Sequence, residues 1–150
     1  MNRNTIQAGH TWEPFVSEAV KSGANIIFTS KETPGLILDV LTFRNEVINS
    51  RPDDIRAFIR GWLQGLAYWQ THIEEGNQII SKVLDVSLDT LSLDGIKLPD
   101  LQDNHQLFDR NHPHSIYKTA KIYIDFLIQS GNITRFPDIE TLFNPSFLDF

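Results

Sequence analysis

Apolar residues recur every three or four positions over much of the chain, which is the pattern of amphipathic helices. The longest run starts after Ser50 and Pro52 and lasts five turns, with one apolar face made of Ile55, Phe58, Ile59, Trp62, Leu63, Leu66, Trp69 and Ile73. Ser50 offers a hydroxyl cap, and a proline is favoured in a first helical turn. We expect this long helix to anchor the core, with Trp62 and Trp69 buried in it.

Shorter helical patterns lie on either side of the long helix. A first helix over residues 15–20 is predicted to end at Gly23, because glycine is favoured just beyond a helix end. Two more helices are predicted. One carries Ile79, Ile80, Val83 and Leu84, and the other carries Leu107 and Phe108. The last should be capped by Ser115 and stopped by Gly131, with a face of Ile116, Ala120, Tyr123, Ile124 and Leu127. The chain is therefore predicted to be helix-rich after residue 45.

Two apolar runs have the length of strands rather than a helical period. They are residues 24–28 and residues 36–43, and the second follows a Pro-Gly turn. Strands that are apolar throughout indicate a sheet covered on both faces, so the predicted fold class is α/β. Asp39 interrupts the second run. A buried carboxylate needs a partner, and we expect a backbone N–H or Arg44 to supply it.

Composition narrows the class of protein. A chain of 150 residues is normally one domain with one core, and 41% apolar and 21% charged residues are ordinary for a soluble globular protein. The net charge of −6 leaves no basic stripe to neutralise phosphates, so we expect no nucleic-acid partner. No run of apolar residues is long enough for a membrane span, and residues 1–5 lack the apolar core of an export signal. There is no cysteine, so redox chemistry says nothing about compartment.

Chemistry-bearing side chains are densest at His10, Thr11, Trp12 and Glu13, directly before Pro14. Pro14 pushes the preceding residue towards extended geometry, so these residues should form a loop at the mouth of a helix. Trp12 could stack on a flat or cationic ligand, or it could pack against the helix that follows it. Glu13 could accept a hydrogen bond from a ligand N–H, or favour the positive helix end. His10 and Thr11 could donate to an anionic group, although a solvated histidine is the simpler interpretation.

No other constellation indicates catalysis or a cofactor. His105, His112 and His114 fit no standard zinc spacing, and no cysteine joins them. The sequence has no glycine-rich phosphate loop and no nucleophile elbow, and nothing pairs a nucleophile with a base. We therefore expect no catalytic residues, no metal site and no cofactor.

Several short motifs follow one another in a specific order. They are Trp12-Glu13-Pro14-Phe15, Phe28-Thr29-Ser30-Lys31, Pro34-Gly35-Leu36-Ile37, Asp39-Val40-Leu41, Ser50-Arg51-Pro52-Asp53, Phe58-Ile59-Arg60-Gly61-Trp62 and Asn144-Pro145-Ser146-Phe147-Leu148. This order resembles the NMT1/THI5-like family, which comprises solute-binding proteins of ABC importers for nitrate, sulfonates, taurine and thiamine-precursor pyrimidines. The resemblance runs from about residue 5 to the end of the chain.

The resemblance implies a fold and a division into lobes. Members of this family are about twice as long, and this chain is similar to their second half. It would be the C-terminal part of a type II periplasmic-binding-protein-like fold. Residues 1–38 would be a remnant of the second, smaller lobe with a wall of the ligand cleft, and residues 39–150 the C-terminal part of the first lobe. Residues 36–44 would then be a hinge.

The resemblance also implies a function. The chain would be the solute-binding component, or a fragment of it, of an ABC importer for a small anion, a sulfonate or a thiamine-precursor-like compound, and not an enzyme. His10, Thr11, Trp12, Glu13 and Asp39 would contact the solute. The expected partners are the solute, the transporter permease, and a missing N-terminal lobe or a second copy. The expected location is periplasmic or extracellular, at the membrane.

Two other interpretations stay open. The same family includes the pyrimidine-precursor synthase of thiamine biosynthesis, a branch that needs a cysteine-rich segment, and this chain has no cysteine. Alternatively, the chain could be a sensory or interaction domain that a partner chain completes.

Overall fold

Helices make up most of the regular structure. The computed structural model describes residues 7–13, 15–91 and 96–150, and within them the chain forms α-helices and short 3₁₀ turns but no β-strand. The helices are α1 (Phe15–Lys21), α2 (Asn45–Ser50), α3 (Pro52–Thr71), α4 (Ile73–Leu84), α5 (Leu101–Phe108), α6 (Ile116–Gln129) and α7 (Ile139–Leu142). The 3₁₀ turns are Ser30–Glu32, Leu88–Thr90 and Pro145–Leu148. The helix-rich prediction for the chain after residue 45 is confirmed.

Several helix ends fall where the sequence places them. Helix α1 ends just before Gly23, which has φ +93°, and α6 ends just before Gly131, which has φ +73°. These left-handed conformations suit glycine because it carries no Cβ. Helix α5 begins with a reciprocal capping box that was not predicted, in which the Asp100 carboxylate accepts a 2.8 Å hydrogen bond from the Asp103 N–H.

The start and end of the long helix differ from the prediction. Helix α3 begins at Pro52, as expected, but Ser50 does not cap it. Ser50 is the last residue of α2, where its hydroxyl donates a 2.7 Å hydrogen bond to the carbonyl oxygen of Glu46. At the other end His72 leaves helical geometry, with φ −131° and ψ 57°, so Ile73 opens α4 instead of closing α3.

The two predicted strands are not strands in the structure. Residues 24–28 and 36–43 form neither a helix nor a ladder with any other described segment. An apolar run can favour extended backbone, but a strand exists only where a neighbouring strand takes up its N–H and C=O groups. Ile27, in the first run, is 86% exposed. The structure therefore supports the helix-rich description and does not confirm the α/β class.

The chain divides into two compact units, Met1–Phe28 with Trp69–Lys97, and Thr29–Tyr68 with Leu98–Phe150. In the described part of the first unit no apolar side chain is fully buried, but the backbone of Gly76 is buried under an aromatic ring. The indole of Trp69 lies against this glycine, and its Nε1 donates a 2.9 Å hydrogen bond to Asn77 Oδ1. This packing sets the position of the indole on α4.

The second unit contains the fully buried apolar side chains of the described chain, Ile55, Leu66, Ile116, Ile124, Phe147 and Leu148. Helix α6 packs on α5 and α7, and α5 packs on the 3₁₀ turn at residues 145–148. Each such side chain contributes roughly 1.5–3 kcal/mol when it leaves water. The guanidinium of Arg56 lies 5.3 Å from the Phe147 ring centroid, which covers the turn from the side of α3.

The prediction that Trp62 belongs to the core is wrong. Trp62 is 59% exposed, and Trp69 is half-buried, while the fully buried residues of α3 are Ile55 and Leu66. The helical rhythm shows which apolar side chains share a face, but the apolar stripe of α3 is wider than the surface that the rest of the unit covers. Within the described residues no helix combines the length and apolar character needed to cross a membrane.

Candidate functional site

The predicted site begins with Trp12, which is 66% exposed on the loop before α1. Its ring contacts two neighbours along the chain. The His10 ring centroid lies 6.3 Å away at a tilt of 56°, and the Phe15 centroid lies 6.4 Å away in an edge-to-face arrangement. Pro14, on which the predicted loop geometry rests, lies outside the described residues. Trp12 thus has local aromatic support and most of its surface is still open to a ligand.

Glu13 makes the local interaction that was one of its two predicted roles. A single carboxylate oxygen, Oε2, accepts hydrogen bonds from the backbone N–H of Ser17 at 3.2 Å and from the Ser17 hydroxyl at 2.8 Å. This places a negative charge at the positive end of α1. The other oxygen, Oε1, has no hydrogen-bond partner within the described residues. Glu13 therefore stabilises the helix start and retains one free acceptor.

His10 and Thr11 carry the remaining polar groups of the loop. His10 is exposed and Thr11 is half-buried, and neither side chain makes a hydrogen bond within the described part of the chain. The imidazole and the hydroxyl are free to donate to a ligand and equally free to interact with water, so the structure does not decide between their two predicted roles.

Asp39 lies in the other compact unit, away from the loop of residues 10–13 along the chain. The prediction that it pairs with Arg44 or with a backbone N–H is wrong. Asp39 is exposed in a segment without regular secondary structure, and it forms no hydrogen bond or ion pair with any described residue. Its partner was expected because a carboxylate in a buried strand requires one. The segment is neither buried nor a strand, so water satisfies the charge.

An apolar cavity of 210 Å³ in the second unit was not predicted from the sequence. It lies between the irregular segment after Gly35 and helix α6, with Leu36, Leu38, Val40, Ile116, Tyr123 and Phe143 among its lining residues. Ligand pockets usually have volumes of about 300–1,000 Å³ and a few converging polar groups. The Thr119 hydroxyl, which also lines the cavity, already donates to the Gly35 carbonyl oxygen. The cavity is therefore better explained as loose packing beneath the segment than as a solute site.

Arg110 is a second feature that the sequence did not reveal. Its guanidinium lies 3.9 Å from the centroid of the Tyr117 ring and forms a bidentate ion pair with Glu140. The hydrogen bond to Glu140 raises the pKa of Arg110 above its ordinary value. The partners are distant in the sequence, so no local signal could have identified them. This cation joins α6 and α7 and is not available to an anionic solute.

His112 and His114 lie side by side in the loop before α6. The His112 and His114 ring centroids lie 5.8 Å apart, and the backbone N–H of His114 donates a 3.3 Å hydrogen bond to His112 Nδ1. Among the described residues no three His, Cys, Asp or Glu side chains are grouped so that they could hold a metal ion. The contacts of this histidine pair are those of a turn.

Comparisons with protein-family models, with curated proteins and with solved structures found no match to this chain. The family resemblance of the motif order therefore stays a prediction.

Proposed function

We propose that this chain belongs to the solute-binding component of an ABC importer. It would be the C-terminal portion of a type II periplasmic-binding-protein-like protein. The proposed solute is a small anion, a sulfonate or a thiamine-precursor-like compound. The observation that carries the proposal is the 66% exposure of Trp12, on a loop that also holds a free histidine ring, a free hydroxyl and a carboxylate oxygen without a partner. The order of the short motifs supports it.

The side chains of the loop at residues 10–13 favour some of these solutes over others. Trp12 offers an aromatic surface for stacking, and Glu13 Oε1 offers an acceptor for an amino or ring N–H group. A carboxylate beside the stacking surface repels nitrate or a sulfonate but attracts an aminopyrimidine. Of the three classes, a flat compound with N–H donors therefore fits these residues best.

The proposed fold assigns a role to the two apolar segments that have no regular secondary structure. Residues 24–28 and 36–43 would become strands of an α/β sheet when strands of an N-terminal lobe pair with them. Ile27 is 86% exposed in the first segment and Val40 is exposed in the second, as expected for strands that lack sheet neighbours. Residues 1–38 would then belong to the smaller lobe and 39–150 to the larger one, with a hinge at residues 36–44. The permease would be the partner at the membrane surface.

An interaction domain completed by a partner chain is the second candidate. The observation that favours it is the number of large apolar side chains left exposed in both units, among them Ile26, Phe28, Val83, Leu84, Ile122 and Phe126. This candidate shares the requirement for a second chain but not the solute site at Trp12.

Solute titration separates the candidates. An aminopyrimidine, taurine, an alkanesulfonate and nitrate are titrated into the chain by calorimetry and by tryptophan fluorescence, with Trp12→Phe and Trp62→Phe as a matched pair. A cleft with one wall buries only part of a ligand, so we expect affinities on the order of millimolar, strongest for the aminopyrimidine. The fluorescence change should disappear in Trp12→Phe and persist in Trp62→Phe. No response at Trp12 for any of the four solutes would overturn the proposal and leave the interaction domain.

A further inference from the structure

The 210 Å³ cavity lies between residues 36–40 and helix α6, and these two walls are tied together at one end. The Thr119 hydroxyl donates a 2.6 Å hydrogen bond to the Gly35 carbonyl oxygen, which fixes the start of the segment on the helix. On the helix itself, Ile116 and Thr119 line the cavity and are buried. The space beneath the segment therefore belongs to the packed part of the second unit.

A third wall of the cavity is the ring of Phe143. This ring makes edge-to-face contacts with Tyr117, at 5.3 Å between ring centroids, and with Phe108, at 6.4 Å. Phe143 cannot turn to fill the gap without disturbing both aromatic contacts. Because the structure around such a gap relaxes only partly, the cavity should persist.

The lining of the cavity favours an uncharged, apolar occupant. None of the nine described side chains that line it is charged, and the two that carry a hydroxyl are Thr119 and Tyr123. The Thr119 hydroxyl is already used in its hydrogen bond to Gly35. An ordered water needs about two to four polar partners, whereas apolar cavities of about 150 Å³ bind benzene-sized molecules. Water therefore gains little in this cavity, and an apolar molecule gains dispersion contacts with the lining.

We propose that this cavity binds a small, uncharged aromatic molecule with a single ring, of the size of a phenol. Such a molecule fits the volume, and the rings of Phe143 and Tyr123 in the lining can make edge-to-face contacts with it. The lining residues Ile37 and Tyr123 are 59% and 44% exposed, so the cavity is open to solvent on their side. The hydroxyl of a phenol can stay at this opening, in contact with water.

This site is independent of the proposed solute site. The cavity lies in the second compact unit, and Trp12 lies in the first. The N–H groups and ring nitrogens of an aminopyrimidine would lose more hydrogen bonds to water than the hydroxyls of the cavity can replace. A bound apolar ring would instead fasten residues 36–40 to α6, in addition to the hydrogen bond at Gly35.

Methyl NMR of the unmodified chain gives the first test. Phenol, cyclohexanol, which lacks the aromatic ring, and benzoate, which is charged, are titrated into protein labelled at its isoleucine methyl groups. Phenol should shift the signals of Ile37 and Ile116, which line the cavity, with a dissociation constant on the order of 1 mM. The signals of Ile26 and Ile79, which are exposed in the first unit, should stay in place. Cyclohexanol should bind about twofold to tenfold more weakly, and benzoate should not bind.

A cavity-filling variant gives the second test. Ala120 lines the cavity on α6, so Ala120→Leu should occupy the space and raise the dissociation constant for phenol at least about tenfold. Ala57→Leu, at an exposed position of α3, is the matched control and should leave binding unchanged. Phenol at about ten times its dissociation constant should raise the melting temperature of Ala57→Leu by about 3–6 °C and leave that of Ala120→Leu unchanged.

Several results would contradict the proposal. They are equal methyl shifts at Ile79 and Ile116, a phenol titration that does not saturate, binding of benzoate or cyclohexanol as tight as that of phenol, and full phenol binding by Ala120→Leu. If Ala120→Leu does not fold, the isoleucine signals of the unmodified chain decide the question.

Discussion

The hydroxyl of Thr119 donates a 2.6 Å hydrogen bond to the carbonyl oxygen of Gly35. The bond joins α6 to the loop that precedes residues 36–43. Gly35 has φ +77°, and a Cβ built there would lie 2.7 Å from the Cβ of His114. The loop therefore lies against the start of α6 more closely than any other residue type allows. These two contacts fix the start of residues 36–44, the segment that the proposed fold makes a hinge.

Gly35→Ala should destabilise the second unit strongly. The left-handed φ costs a non-glycine residue about 1–2 kcal/mol, and the overlap with His114 adds about 1–3 kcal/mol. Gly131→Ala is the matched control, because Gly131 also has a left-handed φ but has open space around its missing Cβ. Urea denaturation should show a larger loss for Gly35→Ala than for Gly131→Ala. Equal losses would show that the loop does not lie against His114.

Thr119→Val should isolate the hydrogen bond from the packing. Valine keeps the shape of the buried side chain but leaves the Gly35 carbonyl oxygen without this donor, which should cost about 0.5–1.5 kcal/mol in the free energy of unfolding. Thr119→Ser keeps the hydroxyl and loses a methyl group. If the serine variant is less stable than the valine variant, packing against the cavity matters more than the hydrogen bond.

Gly76→Ala should disturb the first unit through Trp69. A Cβ at this position would overlap the indole, so the expected cost is about 1–3 kcal/mol, with a change in tryptophan fluorescence as the Trp69–Asn77 hydrogen bond shifts. Gly61→Ala, on the open face of α3, should instead gain about 0.5–1 kcal/mol. Calorimetric melting of both variants checks the opposite signs. A neutral Gly76→Ala would mean that the indole can move away freely.

The sequence predicted those parts of the fold that depend on residues close in the chain. The starts or stops of α1, α3 and α6 follow from Gly23, Pro52 and Gly131, because proline and glycine act on their own backbone. The prediction of strands at residues 24–28 and 36–43 was wrong, because a strand needs a second segment to pair with and an apolar run does not specify that segment. The prediction that Trp62 is buried was wrong for a related reason. A helical period shows which side chains share a face of a helix, but not whether another element covers that face.

In the candidate site, too, contacts between residues close in the chain could be predicted and contacts between distant residues could not. The loop of residues 10–13 was predictable because its groups are adjacent, and the contact between Glu13 and Ser17 spans one helical turn. The ion pair of Arg110 with Glu140 joins residues 30 positions apart, and only the packing of α6 with α7 brings them together. A partner for Asp39 was predicted because Asp39 was expected to be buried in a strand. That prediction was wrong because the strand does not form.

Replacement of Trp12 tests the residue on which the proposed function depends. Trp12 is 66% exposed and touches Phe15 edge-to-face, so Trp12→Ala should cost no more than the contribution of that aromatic pair, about 0.5–1.5 kcal/mol. Ile55→Ala is the reference for a core site, because Ile55 is 2% exposed and its truncation should cost about 2–5 kcal/mol. Urea denaturation gives both values. The same Trp12→Ala protein should no longer bind the aminopyrimidine, since the stacking surface is gone. A stability loss as large as that of Ile55→Ala, with solute binding retained, would show that Trp12 is a staple for α1, and the proposed site would then have to be abandoned.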